Sequence, residues 1–106
     1  MKDLHELFTK FRGEFPEVER REAELGREIH ERGGPLPEKT RWLVKVAISA
    51  ATRHHRALET HLAKAREAGV ADEELLHALL LLIPTCGFPT CMEACGVLRL
   101  SKGAER

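Results

Sequence analysis

Among the side chains of this 106-residue chain, the imidazoles of His54 and His61 and the thiols of Cys86 and Cys91 are those whose types and spacing suit chemistry near neutral pH. His54, Leu58 and His61 stand at i, i+4 and i+7, a spacing that sets both imidazoles on one face of a helix. Neutral imidazole carries protons near pH 7 and is also a common metal ligand. The plainer alternatives are a surface role for His54 and a hydrogen bond inside the core for His61. Cys91 and Cys95 are likewise four residues apart, and Cys86 precedes Gly87-Phe88-Pro89. A thiol close to a helix N-terminus and an imidazole loses its proton more readily and becomes nucleophilic, which would suit Cys91 or Cys86 if His61 approaches. Cys95 reads as a small buried hydrophobe. Two histidines and two thiols could also form a tetrahedral metal site. The short Cys-x-x-Cys knuckle of structural zinc sites is missing from the sequence, so neither a metal nor a cofactor is expected.

The elements that must position these groups all read as helices. Tyr is absent, β-branched alternation is absent, and apolar residues recur at helical spacing wherever a long segment can be tested. A first helix over about residues 3–12 carries Leu4, Leu7, Phe8 and Phe11 on one face and should stop at Gly13. Pro16 suits the first turn of a second helix reaching Glu31, very charged, with Val18, Leu25 and Ile29 as a sparse stripe. Gly33-Gly34-Pro35 is a breaker, and Leu36-Pro37-Glu38-Lys39-Thr40 opens a third helix in which Trp42 to Ala51 is apolar on more than one face. A fourth is expected from His54 to Ala68, ending at Gly69, and a fifth from Glu73 to Ile83, with Asp72 as its N-cap. A last helix follows Pro84 and Gly87-Phe88-Pro89 and reaches Leu100, with a frayed tail after Ser101. The expectation is an all-α bundle of about six helices in one domain spanning residues 1–106.

Composition narrows the function classes. Seventeen basic residues balance seventeen acidic ones, so no overall field draws the chain to nucleic acid or to an anionic membrane. Arg53-His54-His55-Arg56, followed by a helix, Gly69 and another helix, invites comparison with a helix-turn-helix DNA reader. The would-be recognition helix, however, opens Asp72-Glu73-Glu74 and continues in leucine, which repels phosphate. The apolar run from Ala78 to Ile83 is far shorter than the roughly 20 residues of a membrane span, and the N-terminus does not read as a secretory signal. A cytoplasmic protein with reduced thiols is expected. The fifth helix is apolar nearly all round, so helices three and five should supply surface to a homo-oligomer.

The succession of Leu36-Pro-Glu-Lys-Thr-Arg-Trp-Leu-Val-Lys-Val-Ala-Ile-Ser-Ala-Ala-Thr52, His61-Leu-Ala-Lys-Ala-Arg-Glu-Ala-Gly69, Asp72-Glu-Glu-Leu75 and Gly87-Phe-Pro89 resembles the core of the carboxymuconolactone decarboxylase and AhpD-like family over about residues 36–100. The resemblance implies helical hairpins assembled as trimers or hexamers. It also implies one of two chemistries: decarboxylation of a muconolactone acid, or thiol peroxidase and disulfide-reductase work. AhpD-like members carry Cys-x-x-Cys, three residues and a His. With that His set on His61, the two cysteine positions hold His54 and Ala57, and the upstream acid position holds Trp42. A dithiol cycle at that place is therefore excluded. The relay is broken as well, unless Glu38 or Glu59 reaches in.

These readings give a small pocket between the fourth and last helices, lined by His61, His54 and Cys91. The chemistry expected there is a thiol-dependent peroxidase or oxidoreductase reaction through Cys86, Cys91 and His61. The alternatives are a proton-transfer lyase or isomerase acting on a small lactone or carboxylic acid, and a non-catalytic oligomeric module.

Overall fold

A computed structural model describes residues 2–104, with side chains described for residues 5–101. Seven helical segments follow one another: α1 Lys2–Glu14, α2 Pro16–Arg32, α3 Glu38–Ala51, α4 His55–Glu67, α5 Asp72–Leu80, the single turn α6 Ile83–Cys86, and α7 Phe88–Ala104. No strand occurs among the described residues, and the all-α expectation holds. The helices fall into two compact units, residues 1–35 and residues 36–106.

The first unit is the α1–α2 hairpin. Gly13, expected to stop the first helix, lies inside α1, and the turn comes at Phe15 because Pro16 has no N–H to offer a continuing helix. Phe15 instead donates its N–H to Phe11 (2.7 Å) and stacks its ring at 5.1 Å from that of Phe11. The charges of α2 pair along the helix surface: Arg20 with Glu17 and Glu24, Arg21 with Glu17, Arg32 with Glu28. Leu4, expected on the apolar face of the first helix, has its side chain outside the described residues.

The second unit holds the core. Val46 and Ala50 of α3, Leu58, Leu62 and Ala65 of α4, Leu75 and Leu79 of α5, and Cys91, Ala94, Cys95 and Leu98 of α7 are buried together, with Val70 and Leu82 from the turns. Helix α3 packs on α4, α5 and α7, which explains its two apolar faces. Two glycines make the turns that allow this packing: Gly69 (φ 94°) after α4 and Gly87 (φ 96°) between α6 and α7, both in the left-handed region.

Two boundaries differ from the sequence reading. The expected fifth helix is broken after Leu80 into α5 and the turn α6, with Pro84 inside the first turn of α6, where its missing N–H has no intrahelical acceptor to serve. Ala71, extended at φ −77° and ψ 151°, rather than Asp72, is the N-cap of α5; the Glu74 carboxylate accepts the Ala71 N–H at 2.8 Å. Asp72 instead accepts from Arg66 Nε at 2.9 Å and ties α4 to α5. Helix α7 continues past Ser101 to Ala104.

Candidate functional site

His61 sits one turn into α4 beyond Ala57, half-buried, against the polar positions of α3. Its Nδ1 lies 3.2 Å from the carbonyl oxygen of Lys45 and 3.2 Å from Ser49 Oγ. A carbonyl can only accept, so Nδ1 must carry the proton; in neutral imidazole the proton-accepting nitrogen is then Nε2. Ser49 is buried, and its hydroxyl donates back to the carbonyls of Lys45 (2.8 Å) and Val46 (3.1 Å), which leaves its oxygen lone pairs to accept from His61. The imidazole is thereby held in one orientation and one tautomer by backbone and a rigid side chain.

Trp42, one turn before Lys45 and Val46, brings the other members together. Its ring centre is 6.1 Å from that of His61, and the Lys45 ammonium lies 4.6 Å from the same indole centre. Partial burial pushes the Lys45 ammonium below its ordinary pKa, because the charged form loses hydration there. The cation–π contact with indole offsets part of that loss. Proton acceptor, cation and aromatic wall thus gather on one patch of α3 and α4. Glu38 and Glu59, the acids that could have reached in, are both exposed.

His54 does not join this patch through a common helix face. Helix α4 starts at His55, and His54 is its N-cap (φ −87°, ψ 79°), exposed, with Nδ1 3.0 Å from Thr52 Oγ1. His54 lies outside the helical register because its own ψ of 79° is not helical, and Arg53, at φ 61°, turns the chain just before it. Two other residues of the basic run face α7: Arg53 Nε and His55 Nε2 meet the Glu93 carboxylate at 3.2 and 3.4 Å.

The thiols divide. Cys91 and Cys95 are buried in the core, with Sγ atoms 3.9 Å apart, and all three cysteines are free. Burial, together with the neighbouring Cys91, pushes the Cys95 thiol above its ordinary pKa and keeps it protonated. Cys86 is exposed at the end of α6. It lines an apolar groove of about 540 Å³ between α3, α5 and α6, with Leu43, Val44, Ala47, His77 and Leu81 among the other walls. Of the four candidates, Cys86 is among this groove's described lining residues, and His61, His54 and Cys91 are not. Among the described residues no group of three or more His, Cys, Asp or Glu side chains is placed to hold a metal ion.

Lys45 and Ser49 were not singled out by motif spacing. Their signal was present all the same: they are the polar interruptions of the otherwise apolar segment Trp42–Ala51, spaced i, i+4.

The helical core, with a histidine of α4 held against α3, is that of a small all-α protein. The sequence profile of the Carboxymuconolactone decarboxylase family matches residues 16–100, and the chain belongs to that family. The crystal structure of the apo form of a carboxymuconolactone decarboxylase family protein from Legionella pneumophila is similar to it, with a TM-score of 0.83 and 26% sequence identity over 99% of this chain and 93% of that one. None of the curated proteins matches the chain significantly.

Proposed function

We propose that the protein is a proton-transfer lyase or isomerase of the carboxymuconolactone decarboxylase family, acting on a small lactone or carboxylic acid. The observation that carries this reading is the bond from His61 Nδ1 to the Lys45 carbonyl, which makes Nε2 the proton acceptor in the neutral ring. His61 takes a proton from, or returns one to, a carbon next to the substrate carbonyl, and the Lys45 ammonium stabilises the negative oxygen that develops. In a decarboxylation the carbon–carbon bond to the carboxylate breaks, its electron pair passes into the conjugated carbonyl, carbon dioxide leaves, and the imidazolium protonates the carbon. Lys45 keeps its charge only at pH values below its lowered pKa, so activity should decline on the alkaline side earlier than an ordinary lysine would require.

The test is to incubate the protein with a panel of small lactone acids, carboxymuconolactones included, in deuterated water, and to follow carbon-bound deuterium and carbon dioxide. His61→Ala should lose at least about a hundredfold in rate, the contribution typical of a positioned acid–base group. Lys45→Met should lower the rate while Cys91→Ser leaves it unchanged. Turnover that survives in His61→Ala and disappears in Cys86→Ser rejects the proposal.

That opposite pattern belongs to the thiol reading, for which one observation speaks: Cys86 is exposed and shares its groove with His77. Under this reading stoichiometric alkyl hydroperoxide oxidises Cys86 in a single turnover, and an unoxidised Cys86 ends it.

We also read the protein as a cytoplasmic homo-oligomer. The three free thiols suit a reducing compartment. Val44 and Ile48 of α3, Leu80 of α5 and Leu81 just after it are exposed apolar residues of the kind that subunit contacts cover. Sedimentation at micromolar concentration reads the assembly directly; a monomer there removes this part of the proposal.

A further inference from the structure

The proposed proton transfer and the alternative at Cys86 leave Cys91 and Cys95 without a role. They lie one turn apart on α7 with their Sγ atoms 3.9 Å from each other. Cys91 is sealed in the core at 1% exposure, whereas Cys95, at 7%, lines a cleft of about 290 Å³ between α5 and α7. Asp72, Glu73 and Leu76 of α5 and Leu98 and Arg99 of α7 form its other walls. One sulfur therefore stands at the cleft and the second directly behind it.

Two buried thiols at this distance can be joined by a disulfide or by a shared soft cation. The helix decides against the disulfide. Side chains at i and i+4 have Cβ atoms about 5–6 Å apart, while a disulfide needs them at about 3.5–4.5 Å. Closing that bond bends α7 within the packed core that Ala94 and Leu98 share with α4 and α5. A cation requires no such closure, because two metal–sulfur bonds of about 2.3 Å span a gap of up to about 4.6 Å.

The donor set chooses the cation. Thiolates select Cu(I), zinc and iron–sulfur clusters. Zinc completes a tetrahedron and a cluster takes four ligands, and among the described residues no group of three or more His, Cys, Asp or Glu side chains is placed to hold a metal ion. Cu(I), soft and monovalent, is satisfied by two thiolates. Charge agrees with this choice. Two thiolates and one Cu(I) carry one net negative charge, and the Arg99 guanidinium, one turn beyond Cys95 on the wall of the same cleft, balances it. Burial, reinforced by Cys91, pushes the Cys95 thiol up, and Arg99 acts against that rise.

We infer that Cys91 and Cys95 form a Cu(I)-binding site on α7, entered through the α5–α7 cleft, in which the two sulfurs hold the ion as a two-coordinate dithiolate. Binding breaks both S–H bonds and forms two Cu–S bonds. Both protons pass to water and copper stays Cu(I), so no oxidant or reductant takes part. The site shares no residue with the His61 patch or with the groove of Cys86, and its failure leaves the reading at His61 untouched.

The experiment titrates the full chain with tetrakis(acetonitrile)copper(I), without oxygen, against the chromogenic chelator bicinchoninate. Wild-type protein should withhold one Cu(I) per chain, and X-ray absorption of that complex should show two sulfur ligands at about 2.3 Å and no nitrogen or oxygen. Cys91→Ala and Cys95→Ala should each lose at least about a hundredfold in affinity, since even a residue that only orients a ligand is worth about 10- to 100-fold. Cys86→Ser should bind as wild type does. Because either alanine can loosen the core, the wild-type spectrum carries equal weight: a shell containing nitrogen or oxygen overturns the inference whatever the variants do. Affinity unchanged in both alanine variants overturns it, and so does binding lost in Cys86→Ser, which means an exposed thiol bridging two copies. Complete surrender of the copper to stoichiometric bicinchoninate by the wild-type chain overturns it as well.

Discussion

The tautomer of His61 can be tested without knowing any substrate. Two acceptors face Nδ1, the Lys45 carbonyl and Ser49 Oγ, each at 3.2 Å. A net hydrogen bond in a protein contributes about 0.5–1.5 kcal/mol, so the pair favours the Nδ1–H form by about 1–3 kcal/mol, a ratio of roughly 5 to 150. Ser49→Ala removes one acceptor and keeps the carbonyl, leaving a ratio of roughly 2 to 12. The variant remains folded: loss of about 1 kcal/mol of hydrogen bonding is offset by about 0.5 kcal/mol of better helix propensity, and the melting temperature should drop by only about 2–4 °C. Long-range proton–nitrogen correlation spectra at mildly alkaline pH separate the protonated from the proton-accepting ring nitrogen. His61→Gln identifies which of the six histidine signals belongs to His61. Wild-type protein should show a protonated Nδ1, and Ser49→Ala a measurable admixture of the Nε2–H form. If wild-type His61 carries its proton mainly on Nε2, the lone pair is directed at α3, and a proton-accepting role for Nε2 in catalysis is refuted.

Further consequences follow from the packing. Leu62→Ala empties a fully buried site among α3, α4 and α7 and should cost about 2–5 kcal/mol in urea denaturation, whereas Leu100→Ala, at an exposed position, should stay within about 0.5 kcal/mol. Cys95 is held protonated in the folded chain above the ordinary thiol value near 9.0, so its stabilising contribution is complete below that value and is lost as pH rises through the raised one. Urea midpoints should therefore fall on the alkaline side of pH 9 in wild-type protein, with a shallower fall in Cys95→Ala. Arg53 sits at φ 61°, so Arg53→Gly should lie within about 0.5 kcal/mol of wild type while the β-branched Arg53→Val costs about 2 kcal/mol or more. Equal midpoints for these two variants would mean the left-handed turn is not maintained in solution.

Helical periodicity alone determined much of this protein. Leu58, Leu62 and Ala65 on α4 and Leu75 and Leu79 on α5 repeat at three or four residues, and that spacing dictates a helix with a buried face whatever its partner. Pro16, Gly69 and Gly87 mark turns for reasons internal to their own backbones. The sequence likewise shows that no Cys-x-x-Cys pair is present, since side-chain identity needs no coordinates. The composition of the site was decided elsewhere. Sequence spacing grouped His54 with His61, but His54 is an exposed N-cap with non-helical backbone whose Nδ1 lies beside Thr52 Oγ1. It grouped His61 with the thiols, whereas packing of α4 on α3 presents its Nδ1 to a carbonyl sixteen residues upstream. Whether a cysteine is a nucleophile or a core residue depends on hydration, so the buried Cys91 and the exposed Cys86 could be told apart only after the helices were assembled. Local pattern fixes elements because their geometry repeats along the chain; a catalytic patch joins residues from different helices, and only their packing decides which groups share it.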